Sequence, residues 1–251
     1  MKTPSYAFLV SICLCLPQGS AHQPAEEGEA QQIMIDAIEA IGGAKNLARV
    51  KAISWSTHSE FSLQDDKKGR CKWKNVVQWP DKFHYESDDG STLVLNGTKG
   101  WLIVSNRVSD WDLDRNRSIL ISFRVDWMSK LLLPISAAPF SLKTIGATKV
   151  DGRAAVGVQA EWKHWPAVKF YFDKETKLLV KSEVRMKGHP SGPEMCFETL
   201  YSDYRSVNSV KFAHKHVVRR DSSVIADDQV SELRILEKID PQLFVRPELI
   251  P

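Results

Sequence analysis

The sequence predicts a mainly β protein of the α+β class, with one large curved antiparallel sheet, an incomplete barrel of roughly ten or eleven strands. A helix near the N-terminus and a helix in the middle of the chain are predicted to cover it. Three observations indicate this fold: apolar and polar residues alternate over most of the chain, short turn sequences separate these segments, and only two segments have helical periodicity. A sheet with so many strands must curl, close or split.

The chain begins with the features of a secretory signal peptide. Lys2 precedes the apolar run AFLVSICLCLP, and the small residues Gly19, Ser20 and Ala21 suit a signal peptidase. The run is shorter than the ~20 apolar residues that a membrane span needs, and no later segment reaches that length. We therefore predict a signal peptide over residues 1–21 and a single exported domain over residues 22–251 that does not span a membrane.

Charge and cysteine content narrow the class of protein. Without Lys2 the exported chain has 33 basic and 31 acidic residues, a formal charge of +2. This balance differs from the clustered Lys and Arg of nucleic-acid-binding proteins, so no nucleic-acid partner is predicted. Cys71 and Cys196 are its only cysteines. They could pair in an oxidising compartment or remain two buried thiols, and the sequence leaves both alternatives open.

Two segments have the periodicity of helices. The first, EEGEAQQIMIDAIEAIGG, repeats apolar residues every three or four positions between Ile33 and Ile41, and Gly42-Gly43 is a helix-stop signal. The second, SILISFRVDWMSKLLLP, has Ser118 as a candidate N-cap and stops before Pro134. Both are predicted to pack on the sheet.

Strands are predicted on both sides of the second helix. KAISWSTHSEF and CKWKNVVQW precede it, each with apolar residues at alternate positions. After it, further strands are separated by turn sequences such as Asp151-Gly152 and Asn208-Ser209. These later segments are FSLKTIGATKV, AAVGVQAEW, AVKFYFD, LLVKSEVRM, MCFETLYSDY, VKFAHKHVV and VSELRILEKI.

Large apolar side chains recur on one face of successive predicted strands. They either fill a packed core or line part of a cavity for an apolar ligand, as the inner faces of curved sheets often do. The candidate ligand-binding residues are Trp55, Phe61, Trp73, Trp79, Phe83, Tyr85, Trp101, Phe170 and Phe172.

Two histidines in VKFAHKHVV raise the alternative of a metal site. His214 and His216 point to the same side of a strand, and two imidazoles could form half of a zinc site. No HExxH or CxxC motif supplies further ligands, so we predict no metal and no cofactor. We interpret the segment as the second strand of a hairpin, with its histidines near a sheet end or facing solvent. The remaining histidines after residue 21 are His22, His58, His84, His164 and His189.

No motif of a known catalytic class is present. The chain lacks the GxSxG, P-loop and dinucleotide-binding glycine patterns. An enzyme would need a nucleophile and a base that converge in space, and the sequence gives no reason to place them. The protein is therefore predicted not to be an enzyme, with no catalytic residues.

Several segments together resemble the periplasmic lipoprotein-carrier superfamily. They are DAIEAIGGAKNLARVKAISWS, NGTKGW, VDGRAAVGVQA, FYFDKETKLLVKSE, YSDYRSVNSVKFAHKH and LEKIDPQLFVRP, which occur in the order typical of that superfamily. The resemblance covers nearly all of the exported chain. It implies an incomplete antiparallel barrel whose open side is covered by helices around an apolar cavity, and it implies binding of acyl chains without catalysis.

These observations predict an exported binding protein of the periplasm or cell envelope. It would hold an acyl chain, a lipid or the lipid anchor of a lipoprotein in the cavity of the curved sheet, and an envelope protein is a further candidate partner. The alternative is a non-enzymatic interaction or structural protein of the envelope with a fully packed sheet and no ligand.

Overall fold

The computed structural model describes residues 23–62, 67–112, 116–132, 140–163, 165–188, 191–246 and 248. The predicted signal peptide lies outside these residues. The described part contains one sheet of thirteen antiparallel strands. The strands are β1 (Ala52–Ser62), β2 (Lys68–Gln78), β3 (Lys82–Ser87), β4 (Thr92–Asn96), β5 (Lys99–Val104), β6 (Arg107–Asp110), β7 (Ser141–Val150), β8 (Arg153–Glu161), β9 (Val168–Asp173), β10 (Leu179–Lys187), β11 (Glu194–Val207), β12 (Val210–Arg220) and β13 (Ser223–Leu236).

The sheet consists of two meanders joined along one seam. Strands β1 to β6 pair in chain order, as do β7 to β13, and β1 pairs with β13. Within the described residues, β6 and β7 have one neighbour each, so the sheet is open. The predicted fold class is confirmed. The predicted number of strands is too low, because short strands such as β4 and β6 carry too few residues to give a clear alternation.

Three α-helices accompany the sheet in the described part of the chain. They are α1 (Gln23–Ala40), α2 (Ala44–Leu47) and α3 (Arg117–Leu131), and a short 3-10 helix follows β13 at Pro241–Phe244. Helix α3 stands between the edge strands β6 and β7 in chain order, and it packs against the inner face of the sheet, where Tyr201 of β11 donates a hydrogen bond to Ser129 Oγ (2.9 Å). None of these helices has the length and apolar character needed to cross a membrane.

The end of α1 is fixed by two glycines, as predicted. Gly42 has φ of 132° and Gly43 has φ of 80°, both in the region that favours glycine. A Cβ on Gly42 would lie 2.3 Å from the Ser209 carbonyl oxygen, so a side chain there would collide with the β11–β12 turn. The Lys211 amide donates to the Ile41 carbonyl (2.7 Å) at the same contact. Gly42 therefore permits α1 to pack directly against a hairpin.

The predicted N-cap of the second helix is wrong. Ser118 lies inside α3, and its hydroxyl donates to the Gly188 carbonyl (3.3 Å). Asn116 occupies the N-cap position but its side-chain amide donates backwards to the Asp112 carbonyl (2.8 Å). The side chain at the N-cap position therefore accepts no hydrogen bond from a backbone amide of the first turn of α3, unlike the side chain of a usual N-cap residue.

The predicted turn sequences do form tight hairpins. Asp151 and Gly152 have φ of 46° and 83°, and Asn208 and Ser209 have φ of 48° and 68°. Positive φ at both central residues is typical of type I′ turns, whose twist suits two adjacent antiparallel strands.

Cys71 and Cys196 are free thiols. Cys71 on β2 and Cys196 on β11 belong to strands that three other strands separate in the sheet.

Candidate ligand-binding cavities

The larger of two cavities on the inner side of the sheet has a volume of about 750 Å³. It lies between α3, the β2–β3 turn and the segment joining β8 to β9. This volume falls in the range of pockets that enclose small ligands, ~300–1,000 Å³. Its apolar lining includes Leu47, Val50, Trp79, Ile121, Val125, Met128, Leu131, Phe140, Ala160, Trp162, Trp165 and Val168.

Aromatic rings form one wall of the larger cavity. Trp162 and Trp165 stack with centroids 5.5 Å apart and planes 9° from parallel, and Phe140 packs against Trp162 at 5.4 Å. Trp79 lines the cavity near its rim, is 40% exposed, and stacks on Trp127 at 6.0 Å. Such rings offer apolar area with little conformational freedom to lose on binding.

Arg124 is the charged residue of α3 in this cavity. Its guanidinium carbon lies 4.3 Å from the Trp165 ring centroid and 5.7 Å from that of Trp162. Burial lowers the pKa of Arg124, while the charge of Asp81 acts in the opposite direction. No carboxylate of the described residues lies within ion-pair distance of Arg124. The cavity therefore places a half-buried cation against an aromatic wall.

A smaller cavity of about 270 Å³ lies beneath the middle of α3. Apolar rings and polar groups line it together, including Trp55, Trp73, Phe83, Tyr85, Phe123, Tyr201, His216 and Asp228. Val125 lines both cavities. The inner face of the sheet is thus incompletely filled at two adjacent places.

Asn75 links two of the tryptophans of the smaller cavity. When its amide is oriented to satisfy its surroundings, the oxygen accepts hydrogen bonds from Trp55 Nε1 (3.0 Å) and Trp73 Nε1 (3.2 Å). The Lys130 ammonium lies 4.6 Å from the Trp55 ring centroid and forms an ion pair with Asp126 one helical turn earlier. Both contacts hold Trp55 in place on the inner face.

A hydroxyl network connects α3 to the sheet. The Tyr201 hydroxyl bonds to Ser129 Oγ (2.9 Å) and Ser182 Oγ (2.8 Å), and Ser129 Oγ also donates to the Val125 carbonyl (2.7 Å). Burial raises the pKa of Tyr201 to about 12, so the phenol stays protonated. This network joins elements that are distant in sequence.

Replacing Tyr201 with phenylalanine should lower the free energy of unfolding by about 1–2 kcal/mol, because two buried serine hydroxyls lose a partner. Urea denaturation of both proteins measures the change. Tyr204→Phe, which removes one bond to the Leu179 carbonyl (2.8 Å), is the comparison and should cost less. Equal stability of Tyr201→Phe and the unmodified protein would contradict a structural role for the network.

The prediction that His214 and His216 lie near a sheet end or face solvent is wrong, because both side chains are buried on the inner face. His214 Nδ1 is 2.9 Å from the Phe212 carbonyl oxygen, and His216 packs edge-on against Tyr201 at 5.2 Å. Among the described residues, no group of three or more His, Cys, Asp and Glu could hold a metal ion. His22, His164 and His189 lie outside the described residues.

His216 and Asp228 are cross-strand partners with opposite responses to burial. Burial, then the nearby Lys130 charge, lowers the pKa of His216 to about 3. Burial raises the pKa of Asp228 to about 6, although a hydrogen bond from Ser59 acts against this. Asp228 Oδ1 has no hydrogen-bond partner in the described part of the chain. Burial therefore shifts the protonation equilibrium of both groups towards the neutral form.

The nine residues predicted to line a cavity lie at different places. Trp55, Trp73, Phe83 and Tyr85 surround the smaller cavity, and Trp79 lines the larger one. Trp101 lines a surface groove beyond α3. The others, Phe61, Phe170 and Phe172, line neither cavity, and Phe170 and Phe172 are fully buried in the core.

Sequence reasoning missed the residues that α3 and the β8–β9 connection bring to the larger cavity. Ile121, Val125 and Met128 recur at helical spacing, and Trp162 and Trp165 both follow the end of β8. In the sequence, these residues can be recognised as an apolar helix face and a pair of tryptophans. Their meeting depends on how α3 docks, which local periodicity does not specify.

Comparison with known proteins identifies the fold. No protein-family model and no curated protein sequence matches the chain. Among solved structures, it is similar to a LolA superfamily protein from Nitrosomonas europaea, with a TM-score of 0.58, 10% identity, and coverage of 86% of this chain and 97% of that chain. A domain named for outer membrane lipoprotein sorting from Vibrio parahaemolyticus gives a TM-score of 0.55 at 12% identity, covering 87% and 97%.

A DUF1329 family protein from Desulfovibrio piger is also similar, with a TM-score of 0.61, 11% identity, and coverage of 86% of this chain and 97% of that chain. All these identities are low, so the likeness concerns the fold. The chain therefore has the fold of the LolA and lipoprotein-sorting proteins, in agreement with the superfamily resemblance seen in its sequence.

Proposed function

We propose that this protein is an exported, non-catalytic binding protein that holds an acyl chain, a lipid or the lipid anchor of a lipoprotein inside its curved sheet. The observation that carries the proposal is the larger cavity, an apolar space of about 750 Å³ closed on one side by α3. A fully packed sheet, the alternative function class, would leave no such space.

The physical properties of the cavity suit an acyl chain. Burial of each methylene contributes ~0.8 kcal/mol, so a dozen would contribute roughly 10 kcal/mol before the costs of ordering. The lining side chains come from helix, turn and strands, and the aromatic wall of Trp162 and Trp165 is preformed by stacking. A flexible chain could therefore enter without extensive rearrangement of the sheet.

The proposed location is the periplasm or cell envelope. It is supported by the signal-peptide features of residues 1–21 and by the fold shared with the lipoprotein-sorting domain from Vibrio parahaemolyticus. Acyl chains are then the primary partners, and an envelope protein that loads or unloads them is a second one.

Native mass spectrometry of the protein, purified without detergent from its exported compartment, tests the proposal. A stoichiometric ligand that solvent extraction releases as an acyl-chain compound is the expected result. An empty protein that also takes up no fluorescent fatty acid would overturn the proposal.

Filling the larger cavity should abolish acyl-chain uptake. Ala160 is buried on β8 and lines the cavity, so Ala160→Phe places a ring in the space for the ligand. We expect at least about a tenfold loss of affinity for a fluorescent fatty acid, since the apolar area available to the ligand shrinks. Ala154→Phe adds the same ring at an exposed position of β8 and should bind normally. Unchanged uptake by a folded Ala160→Phe variant would place the ligand elsewhere.

A further inference from the structure

We propose that the ligand of the larger cavity is an anionic amphiphile, and that Arg124 binds its carboxylate or phosphate group. The inference rests on the proposed function, which supplies the site for the acyl chain. It adds the chemical class of the head group and the residue that recognises it.

Arg124 has donors available for such a group. A guanidinium has five N–H donors in one plane. Where it stacks on a ring, as the 4.3 Å contact with Trp165 allows, its face is covered and its edge is left for a ligand. No described carboxylate forms an ion pair with it, in contrast to Lys130 of the same helix, which pairs with Asp126. A half-buried cation without a paired anion is costly unless a ligand supplies the charge.

The charges around the larger cavity favour an anion. Its described lining contains three ionisable residues, Lys51, Asp81 and Arg124, which together carry one net positive charge. Asp81 is exposed in the β2–β3 turn, and Lys51 is exposed with its ammonium donating to the Ala48 carbonyl (3.1 Å). Arg124 is the one that stacks on the aromatic wall, where an acyl chain would end.

A surface groove adjoins the cavity at this point and is also basic. The groove shares Arg124 and Trp165 with the cavity, and its described charged residues are Lys99, Asp110, Asp112, Arg117, Arg124 and Arg246. Four of these are cations and two are anions. The Arg117 guanidinium also lies over the Trp165 ring, at 5.8 Å. An amphiphile with its chain in the apolar cavity would thus have its head group at the positively charged boundary.

The competing explanation is that Arg124 merely covers Trp165. In that case the arginine contributes packing, and the cavity would bind a neutral ligand as well as an anionic one of the same chain length. The two explanations differ in head-group preference, which is measurable.

Isothermal titration calorimetry tests the inference. The purified protein is titrated with dodecanoate, dodecyl phosphate and dodecanol. The three probes share one chain and differ in head group, so their comparison also separates a carboxylate from a phosphate ligand. At least one anion should bind about tenfold more tightly than the alcohol, the ratio expected for a charged hydrogen bond. Arg124→Gln should lose this preference, so that its affinities for the three probes become similar.

Two further variants make the result specific. Arg49→Gln removes the same charge from an exposed residue that does not line the cavity, and it should keep the preference. Arg124→Lys keeps the charge without the planar donor edge, and it should retain part of the preference. A melting temperature close to that of the unmodified protein establishes that each variant is folded.

The outcomes separate the two proposals. Equal binding of all three probes by the unmodified protein would overturn the head-group inference and leave the acyl-chain function intact. Binding of none would overturn both. If folded Arg124→Gln kept the preference for anions, Arg124 would have no role in head-group recognition. If it bound none of the three probes, Arg124 would act by packing in the cavity wall, and the head-group inference would also be overturned.

Discussion

Replacing His216 with glutamine should make the protein lose about 3 kcal/mol less stability than the unmodified protein when the pH falls from about 7.5 to about 4. The folded-state pKa of His216 is about 3, below the ~6.5 of an unfolded histidine. The unfolded chain therefore binds an extra proton below pH ~6.5, so this stability is present above that pH and is lost as the pH falls towards 3. Glutamine has no proton to gain.

The groups around His216 explain why the proton is excluded. Tyr201 and Asp228 flank it on the neighbouring strands, His214 lies two residues earlier, and α3 brings Lys130 and Asp126. Urea denaturation at both pH values measures the effect, and His58→Gln at an exposed position of β1 is the matched control. A His216 resonance that titrates near pH 6.5 in the folded protein would contradict the prediction.

Replacing Asp228 with asparagine should stabilise the protein by about 2 kcal/mol more at pH 8 than at pH 4. The folded-state pKa of Asp228 is about 6, above the ~3.9 of an unfolded aspartate. Between these values the folded state binds more protons, so stability falls as the pH rises through this window, and at pH 8 the ionised carboxylate is buried with an unpartnered oxygen. Asparagine fills the same space without the charge.

Denaturation at both pH values checks this result too. Asp227→Asn is the control, because the Asp227 carboxylate pairs with Lys215 (3.3 Å) at a more exposed position of the same strand. The same change in stability at pH 4 and pH 8 for Asp228→Asn would show that the pKa of Asp228 is not raised in the folded protein. Acidification lowers the stability of the folded state through His216 and raises it through Asp228. Each single variant should therefore reveal the pH dependence that the other group contributes.

The fold was largely accessible from sequence because strands and turns depend on local chemistry. The alternation in β1, β2 and β7 to β13 and the turn residues Asp151-Gly152 and Asn208-Ser209 each predicted a structure that forms. The strand number was underestimated because β4 and β6 have five and four residues, too short for a period of two to be distinguished.

The cavities were less accessible because they depend on gaps between elements. Phe170 and Trp55 are both large apolar residues on the predicted inner face of a strand, yet Phe170 is fully buried in the core and Trp55 lines a cavity. The face of a strand can be predicted from alternation, but the place where docking of α3 leaves space cannot. For the same reason the sequence predicts solvent or a sheet end for His216, although its side chain lies beneath α3.

The seam between β1 and β13 has a consequence for how the chain folds. Every other strand pairing joins neighbours in the sequence and can form as a local hairpin, whereas β1 must find a partner as far away as Leu236 opposite Ala52. Closing so long a loop has a high entropic cost and makes folding slow. Until it closes, β1 and β13 are unpaired edges that can associate with another chain. The interval before the seam forms is therefore when this protein is most exposed to aggregation.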